Sequence, residues 1–394
     1  MMRSLGRFCG SSIAALSLAA CTGQSTATPG TTPGTTMSSG MAQRDQILRG
    51  RAVITASACG DCHGGGNNPA ATGWLAGMMT PEQEFPVGPF KTRPRNLTPD
   101  SATGIGRYSE RQIFNALRYG LRPGETPDVS ITSTTPGQGN HPANPKYLPP
   151  SMPWIAWRHM PDQDLWAIAA YLKNGLKPVT NKVADSEAPP DFWASESTPE
   201  KIGVYPAAPH PTASETPGQE GNQNVLRGRV LVIRKDCGGC HGGGPNPAAK
   251  GYLAGMTKPE DEFVIGPFKT RPRNITPDNT TGIGRFSERQ IFNSLRFGLR
   301  PGETPDVEIT SATPGQGNHP ANPKYLAPPM PWPSWRHMSD EELWAIAAYL
   351  KRGVKPVSNK VADSEGPPDF WASAYTVQAI GPYPGPAYPT ANER

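Results

Sequence analysis

The chain has 394 residues, of which 47 are proline and 43 glycine, together a little under a quarter. The length allows two or three domains. The composition stays below the level of global disorder and points to short helices joined by much ordered loop, with little core buried per residue. A large apolar cofactor would then supply part of the core. The net charge is +5, with 16 basic and 15 acidic side chains over residues 43–207 and 20 and 16 over residues 222–394. No basic cluster stands out, which argues against a nucleic-acid partner.

Residues 1–20 place Arg3 and Arg7 before a short apolar run that ends in Leu-Ala-Ala, directly ahead of Cys21. This resembles a bacterial lipoprotein signal peptide, cleaved before Cys21 with lipid on the new terminus. The alternative is an ordinary secretory signal cut nearby. Nothing later in the chain approaches the ~20 apolar residues of a membrane span. The expectation is a periplasmic chain held to a membrane only by acyl chains at Cys21. Residues 21–43, rich in Thr, Gly, Ser and Pro, read as a flexible tether.

From Arg44 onward the sequence repeats itself at an offset of 178 residues. "RPGETPDV" begins at 122 and 300, "PGQGNHPANPKYL" at 136 and 314, and "LWAIAAYLK" at 165 and 343. A period this long means two domains from a duplication rather than a solenoid. The expected division is 44–206 and 222–394, with the Pro-rich and polar residues 207–221 as linker. Each unit shows three helices. The first runs into a cysteine motif ("RDQILRGRAVITAS", "QNVLRGRVLVIRK"). The second, "SERQIFNALRYG", opens with a capping box of Ser109 and Gln112 and closes at Gly120. The third, "DQDLWAIAAYLKNG", has Leu165, Ile168, Ala169 and Leu172 at helical spacing. Its copy opens on a capping box of Ser339 and Glu342. No convincing strand alternation appears, so the expected fold is all-α with two tandem domains and long Pro/Gly-rich loops.

The first helix of each unit leads into Cys-x-x-Cys-His: Cys59, Cys62 and His63, then Cys237, Cys240 and His241. With Cys9 in the signal and Cys21 lipidated, these four cysteines are all that remain. An even number of cysteines in an exported chain would suggest disulfides, but both pairs lie inside Cys-x-x-Cys-His; a thioredoxin-like redox pair would need a strand–helix context that is missing, and zinc would need four ligands per site. Cys-x-x-Cys-His is the attachment sequence of c-type haem. The thiols add across the vinyl groups of the porphyrin and the histidine becomes an axial iron ligand. The expected cofactors are two covalently attached haem c groups.

A six-coordinate iron needs a second ligand. Met152 and Met330, each in a Met-Pro loop before the last helix, are favoured as metal ligands over Met160, Met338, Met78 and Met256. His141, His319, His159 and His337 read as hydrogen-bonded loop residues, and Met160 and Met338 as core. Arg93 and Arg95, with Arg271 and Arg273, are candidate cofactor-binding partners for the haem propionates. The pairs Trp154 and Trp157, and Trp332 and Trp335, flank the methionine and are candidates to exclude water, whereas Trp166 and Trp344 read as helix packing. Asp61 faces Gly239 in the alignment of the repeats. A carboxylate near the porphyrin favours ferric iron, which predicts a lower potential at the first site.

A helix into Cys-x-x-Cys-His, a Met-Pro loop and a last helix ending in "AAYLK" resembles a class I cytochrome c domain. The segments "RNLTPDSATGIGRYSERQIFNALRYG" (95–120) and "RNITPDNTTGIGRFSERQIFNSLRFG" (273–298) are similar to the cytochrome c subunits of membrane-bound gluconate and alcohol dehydrogenases. In those subunits a Met-Pro-x-Pro-Ser segment carries the axial methionine. Residues 330–335, "MPWPSW", match it, and 152–157, "MPWIAW", match a little less. The resemblance implies electron transfer between redox protein partners, such as a membrane dehydrogenase or terminal oxidase, by a carrier with no catalytic residues of its own. Those subunits commonly carry three haems, whereas this chain has two motifs. The alternatives are a dihaem peroxidase-type enzyme and a fixed subunit of a dehydrogenase complex.

Overall fold

The structure, a computed structural model, describes residues 39–394 except 81–83, 88, 186–196, 199–201, 257, 259–261, 266, 365–374 and 377–379. The signal at 1–20, Cys21 and the tether up to residue 38 lie outside the described residues. In the first unit α1 spans Ser39–Ala56, α2 Cys59–His63, α3 Glu110–Tyr119, α4 Trp154–Trp157 and α5 Asp162–Ala170. The second unit repeats them as α6 (Gln223–Arg234), α7 (Cys237–His241), α8 (Glu288–Phe297), α9 (Trp332–Trp335) and α10 (Asp340–Ala348). Among the described residues no helix is long and apolar enough to cross a membrane.

The helix ends follow the sequence chemistry. Ser109 accepts from the Gln112 backbone N–H while Gln112 reaches back, and Gly120 closes α3 in the left-handed region. Ser287 and Ser339 cap α8 and α10 in the same way, which satisfies N–H groups that a helix start leaves unpaired. One feature departs from the all-α expectation. Each unit carries a two-stranded antiparallel hairpin, β1 (Phe85–Val87) with β2 (Phe90–Thr92), and β3 (Phe263–Ile265) with β4 (Phe268–Thr270). Three-residue strands are too short to show a period-two pattern. The fold is mostly helical, with these small sheets at its edge.

In each unit the first and last helices cross. The crossing is close because a glycine lies at it: a Cβ on Gly50 would collide with the Ala167 carbonyl, and one on Gly228 with that of Ala345. The separate cores then form around the crossings. Ile54, Leu75, Leu117, Leu165, Ile168 and Tyr171 are buried together in the first unit. Leu231, Leu253, Leu295, Leu343, Ile346 and Tyr349 are buried together in the second.

The chain ends of the two units are exchanged. The segment expected to be a linker packs on the second unit, where Glu215 pairs with Val354 in an antiparallel bridge. The C-terminal residues cross back to the first unit, where Glu393 pairs with Leu176. Both glutamates are buried, at 0% and 1% exposure. Each is satisfied by the same set of partners. Arg51 Nε and the Tyr171 hydroxyl donate to Glu393 at 2.6 and 2.5 Å. Arg229 Nε and the Tyr349 hydroxyl donate to Glu215 at 2.5 and 2.7 Å. A buried carboxylate is tolerated only when paired and hydrogen-bonded in this way.

Candidate haem-attachment sites

Helices α2 and α7 are single turns that place both cysteines and the histidine of each motif on one short element. Ala58 and Asp236 enter them at φ 59° and 54°, so the chain turns sharply out of the preceding helix. None of the four cysteines is joined in a disulfide. Desolvation pushes Cys59 and Cys237 up to about 12 and raises Cys62 and Cys240 as well. Redox-active Cys-x-x-Cys pairs have depressed thiol pKa values, so this environment does not suit a dithiol oxidoreductase.

The histidines are oriented by the backbone. His63 Nδ1 lies 2.7 Å from the Arg95 carbonyl oxygen, and His241 Nδ1 lies 2.6 Å from that of Arg273. A carbonyl can only accept, so the proton sits on Nδ1 and Nε2 carries the lone pair. That is the tautomer and ring setting an axial imidazole ligand needs. Burial lowers both histidine pKa values, first of all by desolvation, and keeps the rings neutral.

Met152 and Met330 are half-buried against the same clusters as the attachment cysteines. Cys59 and Met152 pack on the core of the first unit, and Met330 packs on the core that contains Cys237. Met160 and Met338 lie within those cores, at 3% and 4% exposure, as packing residues do. A pair of thiols on one helical turn, a tautomer-fixed imidazole, and a thioether packed on the same core as one of those thiols match the donor set of a covalently bound, Met/His-ligated haem. The residues fit that group.

Residues 47–175 match the cytochrome c family model. The chain carries a cytochrome c domain. It is also similar to the gluconate 2-dehydrogenase cytochrome c subunit of Pantoea cypripedii, 29% identical over 84% of this chain and 65% of that protein. The cytochrome c subunit of the quinone alcohol dehydrogenase of Gluconacetobacter polyoxogenes is 26% identical over 77% of this chain and 55% of its own length. The fructose dehydrogenase cytochrome subunit of Gluconobacter japonicus is 29% identical over 65% and 46%. The chain thus spans between about half and two thirds of these relatives. A cytochrome c domain implies covalently bound haem c.

Around the cytochrome c motif the four candidate arginines are held by the chain itself. Arg93 Nε donates to Glu84 at 2.5 Å and its Nη1 to the Asp185 carbonyl at 2.6 Å. Arg95 Nη1 pairs with the Asp185 carboxylate at 2.5 Å. Arg271 pairs with Glu262 at 2.5 Å, and Arg273 with Asp363. The backbone carbonyls of Arg95 and Arg273 orient His63 and His241, a role that sequence reasoning missed because a carbonyl acceptor has no residue signature. The tryptophans divide. Trp157 and Trp335 join the cores with the cysteines, whereas Trp154 stacks on Tyr147 and Trp332 on Tyr325, both at 5.6 Å, in separate clusters. Trp166 stacks on Phe114 at 4.6 Å and joins α5 to α3.

His141 and His319 meet the carbonyls of the next prolines, each at 3.1 Å. His159 and His337 differ from the expected hydrogen-bonded loop residues, because their Nε2 atoms are enclosed without a partner among the described residues.

The contrast between Asp61 and Gly239 needs correction. A Cβ on Gly239 would collide with the Asp236 carboxylate, which fills the space that the Asp61 side chain has in the first unit. Desolvation pushes Asp236 up to about 7. Asp61 lies at the surface, and the Ser334 hydroxyl of the second unit faces it without a well-formed hydrogen bond. Each attachment turn therefore has one acidic neighbour, and the alignment of positions hides it.

Proposed function

We propose that the chain is a periplasmic electron carrier with two covalently bound haem c groups, one per unit, that serves a membrane-bound dehydrogenase. The observation that carries this reading is the duplicated attachment turn with its histidine fixed by a backbone carbonyl. In this reading Cys59, Cys62, Cys237 and Cys240 form the thioethers. His63 with Met152, and His241 with Met330, supply the axial ligands. The haem supplies reversible one-electron chemistry at iron. The chain holds the imidazoles neutral and oriented, and excludes water with Trp157 and Trp335. Arg93, Arg95, Arg271 and Arg273 are the proposed partners of the propionates.

The proposed organisation is a lipoprotein signal at 1–20, a tether at 21–43, cytochrome c domains at 44–206 and 222–394, and a linker at 207–221. The anchor is lipid on Cys21. The names of the relatives support a role as the cytochrome subunit of a dehydrogenase complex. A peroxidase-type enzyme is disfavoured because both units keep the same Met-Pro loop, which leaves neither site open. Pyridine haemochrome absorbance against protein mass tests the count. Two haems per chain are expected, and one or none would contradict the reading.

A further inference from the structure

The two attachment turns do not face away from each other. Lys235 Nζ, two residues before Cys237, donates across to the first unit: to the Ala56 carbonyl at 2.6 Å and to the Ser57 hydroxyl at 3.1 Å. Ala56 itself packs into the core that contains Cys237. The lysine charge acts on both Cys59, where it is the largest charge effect, and Cys237, where the Asp236 carboxylate outweighs it. One ammonium therefore stands between the two sites.

Burial and then the adjacent Arg234 push the Lys235 ammonium down to about 8, which leaves it charged at neutral pH. Arg234, one residue earlier, takes the local carboxylates, with Asp164 at 3.0 Å and Glu342 at 2.8 Å. Among the described residues Lys235 forms no ion pair. The repeat also explains why there is a single lysine here. Ser57 is the counterpart of Lys235 at the offset of 178, and its hydroxyl lies within hydrogen-bond distance of the ammonium. A lysine at both positions would put two cations in contact at a half-buried junction, where like charges repel strongly. Only one of the pair can carry the charge, and it reaches both sites from the middle.

We propose that Lys235 is a positioning residue shared by both haem sites, whose unpaired charge raises the redox potential of the two together. A nearby cation disfavours the more positive ferric state, and it acts over a longer range in a part-dry interface than in water. The inference rests on the two-haem reading above.

The test is a spectroelectrochemical titration of the full-length holoprotein, after haem content has been counted. Lys235→Met keeps the stem and removes the charge, and both midpoint potentials should fall. Lys235→Arg should keep both near wild type. Ser57→Ala, which removes one hydrogen bond and no charge, should also leave both in place. If Lys235→Met does not fold, Ser57→Asp sets a carboxylate against the ammonium and should lower both potentials. Two haems with unchanged potentials, or a fall in only one, would overturn the inference. So would a fall in Ser57→Ala equal to that in Lys235→Met, which would assign the effect to the hydrogen bond. Fewer than two haems in the wild type would instead overturn the reading beneath it.

Discussion

The two units keep the backbone setting of their Cys-x-x-Cys-His turns alike and differ in the residues where they touch. His63 and His241 meet equivalent carbonyls within 0.1 Å of the same distance. Gly50 and Gly228 make the same helix crossing. The repeats differ at many positions, Trp74 against Tyr252 among them, and five of the differences fall at or beside the contact between the units: Ser57 against Lys235, Ala58 against Asp236, Asp61 against Gly239, Ala156 against Ser334, and Asp164 against Glu342. In the proposed reading each unit still holds a haem, which constrains the site. A unit's new neighbour is the other copy, and a junction between near-identical faces would set like charges against each other. Divergence there removes the conflict and leaves one copy carrying the cation.

The largest break in this comparison should come from the exchanged ends. Glu393→Ala should destabilise the first unit and Glu215→Ala the second, by about 3–5 kcal/mol each, since removing one partner of a buried ion pair strands the other. Hydrogen exchange read by unit checks this. Loss of protection in the first unit from a change at residue 393 is the expected, crossed result; loss in the second would contradict the exchange.

A smaller effect should be equal in the two units. His159 and His337 are pushed down to about 4, first by desolvation and then by nearby arginines. The folded state holds them neutral, while the unfolded chain takes a proton near the ordinary histidine value of about 6.5. Their contribution to stability is thus complete above that value and is lost as pH falls from about 6.5 towards 4. Urea melts at pH 7.5 and 5.0 should show less loss in His159→Phe, and in His337→Phe, than in the wild type. A loss equal to wild type in either variant would contradict the assigned burial.

Much of this was legible in the sequence, and what was hidden was hidden for physical reasons. Capping boxes at Ser109 and Ser339 mark helix starts because cap chemistry is local. The Cys-x-x-Cys-His turns announce themselves because covalent attachment fixes residue type and spacing. The carbonyls of Arg95 and Arg273 leave no trace, since every residue has one. Asp236 escaped because it fills from the start of the turn a space that Asp61 fills two residues into it. Glu215 lay in what read as linker and Glu393 at the end of what read as the second domain, although the repeat runs on through "YP" at 205 and 383 to "PTASE" and "PTANE". Continuing the alignment to the last residue would have found them. Lys235 appears only as a mismatch with Ser57, and its meaning needs the junction in three dimensions.

The central claim is that the two units hold two Met/His-ligated haems. The most direct measurement is the long-wavelength charge-transfer band of iron–thioether bonding in the ferric protein. The account predicts the band in the wild type, with half of its intensity lost in Met152→Ala, half in Met330→Ala and all of it in the double variant. A wild type without the band, or a band that survives in the double variant, would contradict it.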